Sequence, residues 1–291
     1  MKKPILLTLV SCAGAALLWG AVPGFVYWSS AELHGYMPKI AAKMTKETVL
    51  GQDLGKWGNH LSSITRRNAN GEAEVHEKVA DIFICEGGEA SLLVGGTLAN
   101  RRTAGPGEYR GSAVTGGRKV TMKPGDMVEI PANMPHQLLV PKEFLYFVIK
   151  VQQTGPQPES NFRYWSSTEF QGWKAKLQAK LAGKNVANQE IANWGNHSQL
   201  MVYRTGDGEV EIHEKQVDYF FVEQGEATLT VGGKASGSRV TGPGEQRGGT
   251  ITGGEKIALK AGDIAHIPAA VPHQVVGTKD FLYGVMKVTV E

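Results

Sequence analysis

The chain has 291 residues, enough for one or two domains that bury a core without disulfide staples. Its 37 glycines nearly double the usual share of roughly 7 %, a bias toward strands and tight turns rather than helices. The formal net charge is +3 with Lys and Arg scattered singly, so there is no basic stripe for a phosphate backbone, and nucleic acid is not an expected partner.

The N-terminus, MKKPILLTLVSCAGAALLWGAV, sets two lysines before an apolar run, and no charge returns until Glu32. Residues 1–24 therefore read as a signal peptide or N-terminal anchor. The run from Pro4 to Val22 is close to the roughly 20 residues that span a bilayer, so an uncleaved anchor stays open. Leu9-Val10-Ser11-Cys12 also resembles a lipoprotein cleavage box, which would place a lipid on Cys12. The expected location is secreted or periplasmic, with tethering through this segment or a lipidated Cys12 as the alternative. With Cys12 removed, Cys85 is the one remaining thiol, which precludes an internal disulfide.

The rest of the chain is one unit written twice. YWSS at 27–30 recurs at 164–167, WGNH at 57–60 recurs at 194–197, VGG at 94–96 at 231–233, and FLY at 144–146 at 281–283, all displaced by 137 residues. Unit one is placed at 25–161 and unit two at 162–291. Each opens on a capping box, Ser29-x-x-Glu32 or Ser166-x-x-Glu169, which starts a helix. Apolar residues follow at Leu33, Met37, Ile40 and Met44, and at Phe170, Trp173, Leu177 and Leu181, the stripe of an amphipathic helix that packs on a barrel. Short strands come next, in unit two SQLMVYR, VEIHE, YFFVEQG, EATLTVGG, KIALKAGD and FLYGVMKVTV, with turn signals between them. The predicted fold is all-β: two tandem jelly-roll barrels, each preceded by a short amphipathic α-helix.

The chemistry-bearing residues begin at Glu74 and His76, two apart and so on one face of a strand, with Asp81 one short turn later. His136 follows beyond Gly125 and Pro131. Unit two repeats the set as Glu211, His213, Asp218 and His273. These motifs resemble the cupin family, and specifically its two-barrel members. The family's first motif is a glycine, two histidines one residue apart, a glutamate and a glycine; its second is a glycine, a proline and a histidine. His76, Asp81 and Gly88, then Gly125, Pro131 and His136, fall on those positions, as do His213, Asp218, Gly225, Gly262, Pro268 and His273. Glu74 and Glu211 stand where the family has its first histidine, and Asp81 and Asp218 stand for its glutamate. The resemblance implies one divalent metal per barrel held by Glu74, His76, Asp81 and His136, and by Glu211, His213, Asp218 and His273. Imidazole with carboxylate suits Mn, Fe, Zn, Ni or Cu. A hydrogen-bonded polar network without metal is the other reading of these residues.

A long loop between the motifs carries GPGEYRG at 105–111 and GPGEQRG at 242–248. Arg110 and Arg247 are candidates to hold a substrate carboxylate or hydroxyl, or else to pair with Glu108 and Glu245. His60 and His197 read as structural, Glu77 and Glu214 as outward-facing, Cys85 as a buried inert thiol, and His266 stands opposite Glu129 in the repeat. No nucleophile elbow, phosphate loop or dinucleotide fingerprint is present. The expected function is that of an extracytoplasmic metal-dependent enzyme on a small organic molecule, of the dioxygenase, oxidase or decarboxylase type that two-barrel cupins include. The alternatives are a non-catalytic sugar-binding, small-molecule-binding or storage protein, and a metal-dependent isomerase or lyase. Membrane contact is expected only through the N-terminal segment, and a homodimer is compatible with the pattern.

Overall fold

The computed structural model describes residues 22–276 and 280–291, so nearly all of the expected leader at 1–24 lies outside the described residues. Among the described residues no helix is long and apolar enough to cross a membrane.

Two antiparallel barrels account for most strands, each made of a large and a small six-stranded sheet. In the first barrel the large sheet runs Arg163–Trp165, Met127–Ile130, Val79–Gly88, Phe144–Gln152, His60–Arg67, Val49–Trp57. The small sheet runs Arg118–Met122, Ala90–Val94, His136–Leu139, Ala73–His76, Glu108–Gly111, Arg102–Gly105. The second barrel repeats both orders, its large sheet being Val26–Trp28, Ile264–Ile267, Gln216–Gln224, Phe281–Thr289, His197–Arg204, Val186–Asn193. The strand spacing of the sequence is thus that of paired jelly rolls.

One edge strand in each large sheet is borrowed. Val26–Trp28 pairs with Ile264–Ile267 of the second barrel, and Arg163–Trp165 pairs with Met127–Ile130 of the first. Tyr27 and Phe25 pack into the second barrel's interior, Tyr164 and Phe162 into the first's. Asp263 fastens one crossing by accepting hydrogen bonds from the Tyr27 hydroxyl and the Ser30 N–H, and Asp126 does the same for Tyr164 and Ser167. A boundary between 161 and 162 therefore divides the sequence repeat, while the opening strand of each repeat is spent on the other barrel.

After each crossing the chain returns to its own barrel through a helix. Helix α1, Ser30–Ala41, is capped by the Ser29 hydroxyl accepting from the Glu32 N–H, and α2, Ser167–Gln178, by Ser166 accepting from Glu169. Leu33, Tyr36 and Ile40, then Phe170 and Leu177, are their buried faces.

Alternation along the strands sorts side chains into three cores. In Val79–Gly88, Phe83 and Cys85 point into the first barrel, whereas Ile82 and Ile84 point outward into a core shared with the second. In Gln216–Gln224, Phe220 and Val222 fill the second barrel while Val217, Tyr219 and Phe221 enter the same shared core. The two large sheets therefore stack back to back over apolar side chains. Cys85 is buried on the inner face, and burial pushes its thiol up to about 12, which makes it inert.

Candidate metal centres

Strand register sets the groups of each site side by side within each of the two facing sheets. Glu74 lies directly opposite His136 on one neighbouring strand and Arg110 on the other, His76 lies opposite Glu108, and Asp81 lies opposite Lys150. In the second barrel Glu211 faces His273 and Arg247, His213 faces Glu245, and Asp218 faces Lys287. Cross-strand neighbours sit close enough to touch, so three strand pairings gather the groups within each sheet, and the facing of the two sheets brings Asp81 and Lys150 against the histidines.

In each barrel a carboxylate and two imidazoles converge: one donor atom each from Glu74, His76 and His136, and from Glu211, His213 and His273, lie within 4.8 Å of one another. His136 Nε2 is 3.6 Å from Glu74 Oε1 and 3.5 Å from Asp81 Oδ2, and none of these contacts closes as a hydrogen bond. The buried Nε2 atoms of His136, His213 and His273, with Asp81 Oδ2, have no hydrogen-bond partner among the described residues. Buried polar atoms are nearly always satisfied, so four such atoms aimed into two clusters are a donor set that fits a cation.

The other ring nitrogens explain the orientation. His76 Nδ1 is 2.6 Å from Glu108 Oε2 and His213 Nδ1 is 2.6 Å from Glu245 Oε2, while His136 and His273 donate Nδ1–H to the carbonyls of Met134 and Val271. A proton fixed on Nδ1 turns the Nε2 lone pair inward, unpartnered on His136, His213 and His273 among the described residues and met by the Lys150 ammonium on His76, the usual outer support of a metal-binding histidine. Glu108 and Glu245 thus serve the site from the glycine-rich loops.

Asp81 and Asp218 occupy the clusters, but each is engaged by an ammonium. Lys150 Nζ lies 2.5 Å from Asp81 Oδ1 and 3.2 Å from His76 Nε2, and Lys287 Nζ lies 2.7 Å from Asp218 Oδ1. Burial works against their charge, yet the lysines and imidazoles override it and hold both aspartates well below the usual carboxylate range. Burial likewise opposes the charge on Glu74, but His136 draws it down to about 2. For His136 burial disfavours the proton, and Asp81 and Glu74 outweigh it, raising the imidazole to about 9; Asp218 and Glu211 raise His213 to about 9 in the same way. An imidazole this eager for positive charge is well matched to a divalent ion, which would displace the proton.

Arg110 and Arg247, candidates for substrate contact, turn toward the ligand carboxylates. Arg110 Nη2 lies 3.2 Å from Glu74 Oε2 and Arg247 Nη1 lies 2.7 Å from Glu211 Oε1. His60 and His197 are buried between the barrels, His60 Nε2 lying 3.0 Å from His266 Nε2 and His197 Nε2 lying 2.9 Å from Glu129 Oε1. Glu77 is exposed and accepts from the Tyr109 hydroxyl.

Sequence reasoning missed Lys150 and Lys287. The available signal was a lysine at the inward period-two position of an otherwise apolar strand, after Tyr146 and Val148, repeated after Tyr283 and Val285.

No protein-family model matches the chain, and no curated protein matches it. Solved structures do. The chain is similar to a cupin 2 conserved barrel domain protein from Leptotrichia buccalis, at 13 % identity over 86 % of this chain and 94 % of that one, with a TM-score of 0.50. It is similar to a salicylate 1,2-dioxygenase from Pseudoaminobacter salicylatoxidans in complex with gentisate, at 10 % identity over 91 % and 82 %, TM-score 0.60. It is also similar to a glyoxylate-induced protein from Pseudomonas aeruginosa, at 13 % identity over 99 % and 93 %, TM-score 0.55. At such identities the likeness speaks for the fold, which is that of a two-barrel cupin.

Proposed function

We propose that the chain is an extracytoplasmic metal-dependent enzyme acting on a small organic molecule, with chemistry of the dioxygenase or oxidase type. The observation that carries this is the triad of one carboxylate and two imidazoles in each barrel, with the nearby aspartate already engaged by lysine. Three protein ligands rather than four leave positions for a small molecule, and two histidines with one carboxylate are the set that suits non-haem iron. When bound, such an ion supplies a Lewis acid and, if iron, manganese or copper, a redox centre. The chain's residues would hold and orient it: Glu108 fixes the His76 tautomer, Arg110 steadies Glu74, and Phe83 and Val148 line an apolar wall beside the cluster. The bound gentisate of the salicylate dioxygenase neighbour supports a small-molecule ligand, and the apolar N-terminal run supports export.

One observation favours a second reading. The Lys150 ammonium lies within reach of His76 Nε2, the atom an ion would need, so the first barrel has a fixed cation of its own and would serve as a metal-free binding pocket. Plasma mass spectrometry on untagged protein decides between them. The enzyme reading expects about one or two equivalents of one metal, lost barrel by barrel on changing Glu74, His76 and His136, or Glu211, His213 and His273, to Ala. No metal after reconstitution with Mn, Fe, Zn, Ni and Cu would overturn it.

A further inference from the structure

The two barrels share one set of polar residues around unlike cavities. The first barrel's cavity is about 360 Å³ and the second's about 190 Å³. Ligand pockets usually start near 300 Å³, so only the first is of ordinary size. The difference traces to the two outer strands of each large sheet. Gly51, Ser63 and Thr65 line the first cavity where Asn188, Leu200 and Val202 line the second. A side-chain carbon on Gly51 would stand 3.1 Å from Thr65 Oγ1, so the glycine keeps that hydroxyl open to the cavity. Neither the Ser63 nor the Thr65 hydroxyl has a hydrogen-bond partner among the described residues, whereas Leu200 and Val202 join the second barrel's apolar core.

The arginines on the same strands differ too. Arg204 donates from Nε to the Tyr283 hydroxyl and from Nη2 to Glu211 Oε1 at 3.2 Å, so with Arg247 it neutralises that carboxylate. Arg67 donates from Nε to the Tyr146 hydroxyl, yet no carboxylate lies within ion-pair distance of it among the described residues. A guanidinium with two free Nη donors on a cavity wall is a ready donor to a carboxylate.

We propose that the first barrel alone takes the ligand, a small hydroxylated carboxylic acid whose carboxylate binds Arg67 and whose hydroxyl groups meet Ser63 and Thr65, while the second barrel is closed to it. This uses the cavity of the proposed metal enzyme, but the anion contact itself needs no ion.

The test is isothermal titration of the full chain with glycerate, lactate and salicylate, with glycerol and phenol as uncharged controls, on chelator-treated and on Mn-loaded protein. The expected result is one equivalent of at least one acid per chain and none of the controls. Arg67→Gln should weaken binding about tenfold or more, and Ser63→Leu should abolish it by filling the cavity. Leu200→Ser should leave affinity and stoichiometry unchanged, and a melting curve for each variant shows that it is folded at the titration temperature. Two equivalents, dependence on Leu200 instead of Arg67, or no binding of any acid would overturn the assignment. Binding through Arg67 in a protein that never holds metal would sink the enzyme reading and leave this one standing; metal in the triads with no acid bound would do the reverse.

Discussion

The histidine pair between the barrels makes acid stability predictable. His60 Nδ1 faces Asn59 Oδ1 at 3.0 Å, and the Asn59 amide is oriented by donating to the Thr289 carbonyl, so Nδ1 of His60 is the protonated nitrogen. His266 likewise donates from Nδ1 to the Gly24 carbonyl. Two Nε2 lone pairs then face each other at 3.0 Å, between Trp57 stacked on His266 and the edge of Tyr219. Desolvation holds both histidines below their ordinary range, His60 down to about 4. In the unfolded chain both titrate near 6.5, so between there and the folded values the unfolded state binds protons that the fold refuses. Stability is full above about pH 6.5 and is lost as pH falls. At pH 5 that is about 2 kcal/mol for each histidine, or about 4 in all; a proton shared between the facing Nε2 atoms would return half, leaving about 2 kcal/mol. With an unfolding entropy of about 0.6 kcal/mol/K for a chain of this size, the midpoint falls about 3 °C. The assay is the change in Tm between pH 8 and pH 5 for the parent and for His60→Gln with His266→Gln. The double variant should lose about 3 °C less than the parent. Equal losses would refute the reasoning.

Glu108→Gln removes the carboxylate behind His76 and should weaken first-barrel metal affinity 10- to 100-fold in chelator competition, while Glu77→Gln, exposed in the bend just after the His76 strand, should have no effect. Asp263→Ala strips acceptors from the Tyr27 hydroxyl and from the N–H groups of Ser30 and Lys260, so it should cost about 3 kcal/mol and lower Tm by about 5 °C. Tyr27→Phe, which loses one of these bonds, should cost about 1 kcal/mol by the same melt.

The fold was legible because the 137-residue displacement and the period-two patterns are local facts of the sequence. Glu74, His76 and His136 were legible for the same reason, since spacing two on a strand and a motif after a glycine turn survive without tertiary knowledge. The partners were not. Whether Asp81 faces an ion or an ammonium depends on the register of Val79–Gly88 against Phe144–Gln152, two strands separated by more than fifty residues, and nothing local fixes it. The crossing of Val26–Trp28 onto the second barrel was hidden as well. YWSS reads only as the approach to a helix cap, because its pairing partner lies more than two hundred residues away.

The shared core ties the two sites to one stability. In Phe144–Gln152 the side chains of Tyr146, Val148 and Lys150 line the first cavity, while Leu145, Phe147 and Ile149 alternate outward. Ile149 is fully buried in a cluster that also holds Met201, Tyr219 and Phe221 of the second barrel. Ile149→Ala leaves a cavity in that common layer and should cost about 2–5 kcal/mol. Because the layer belongs to both barrels and each also lends the other an edge strand, neither can melt while the other keeps its packing. Calorimetry should show one transition, displaced as a whole by about 3–8 °C in the variant. Two transitions, with only the first displaced, would mean that the barrels fold independently and that the back-to-back layer contributes little to their cohesion.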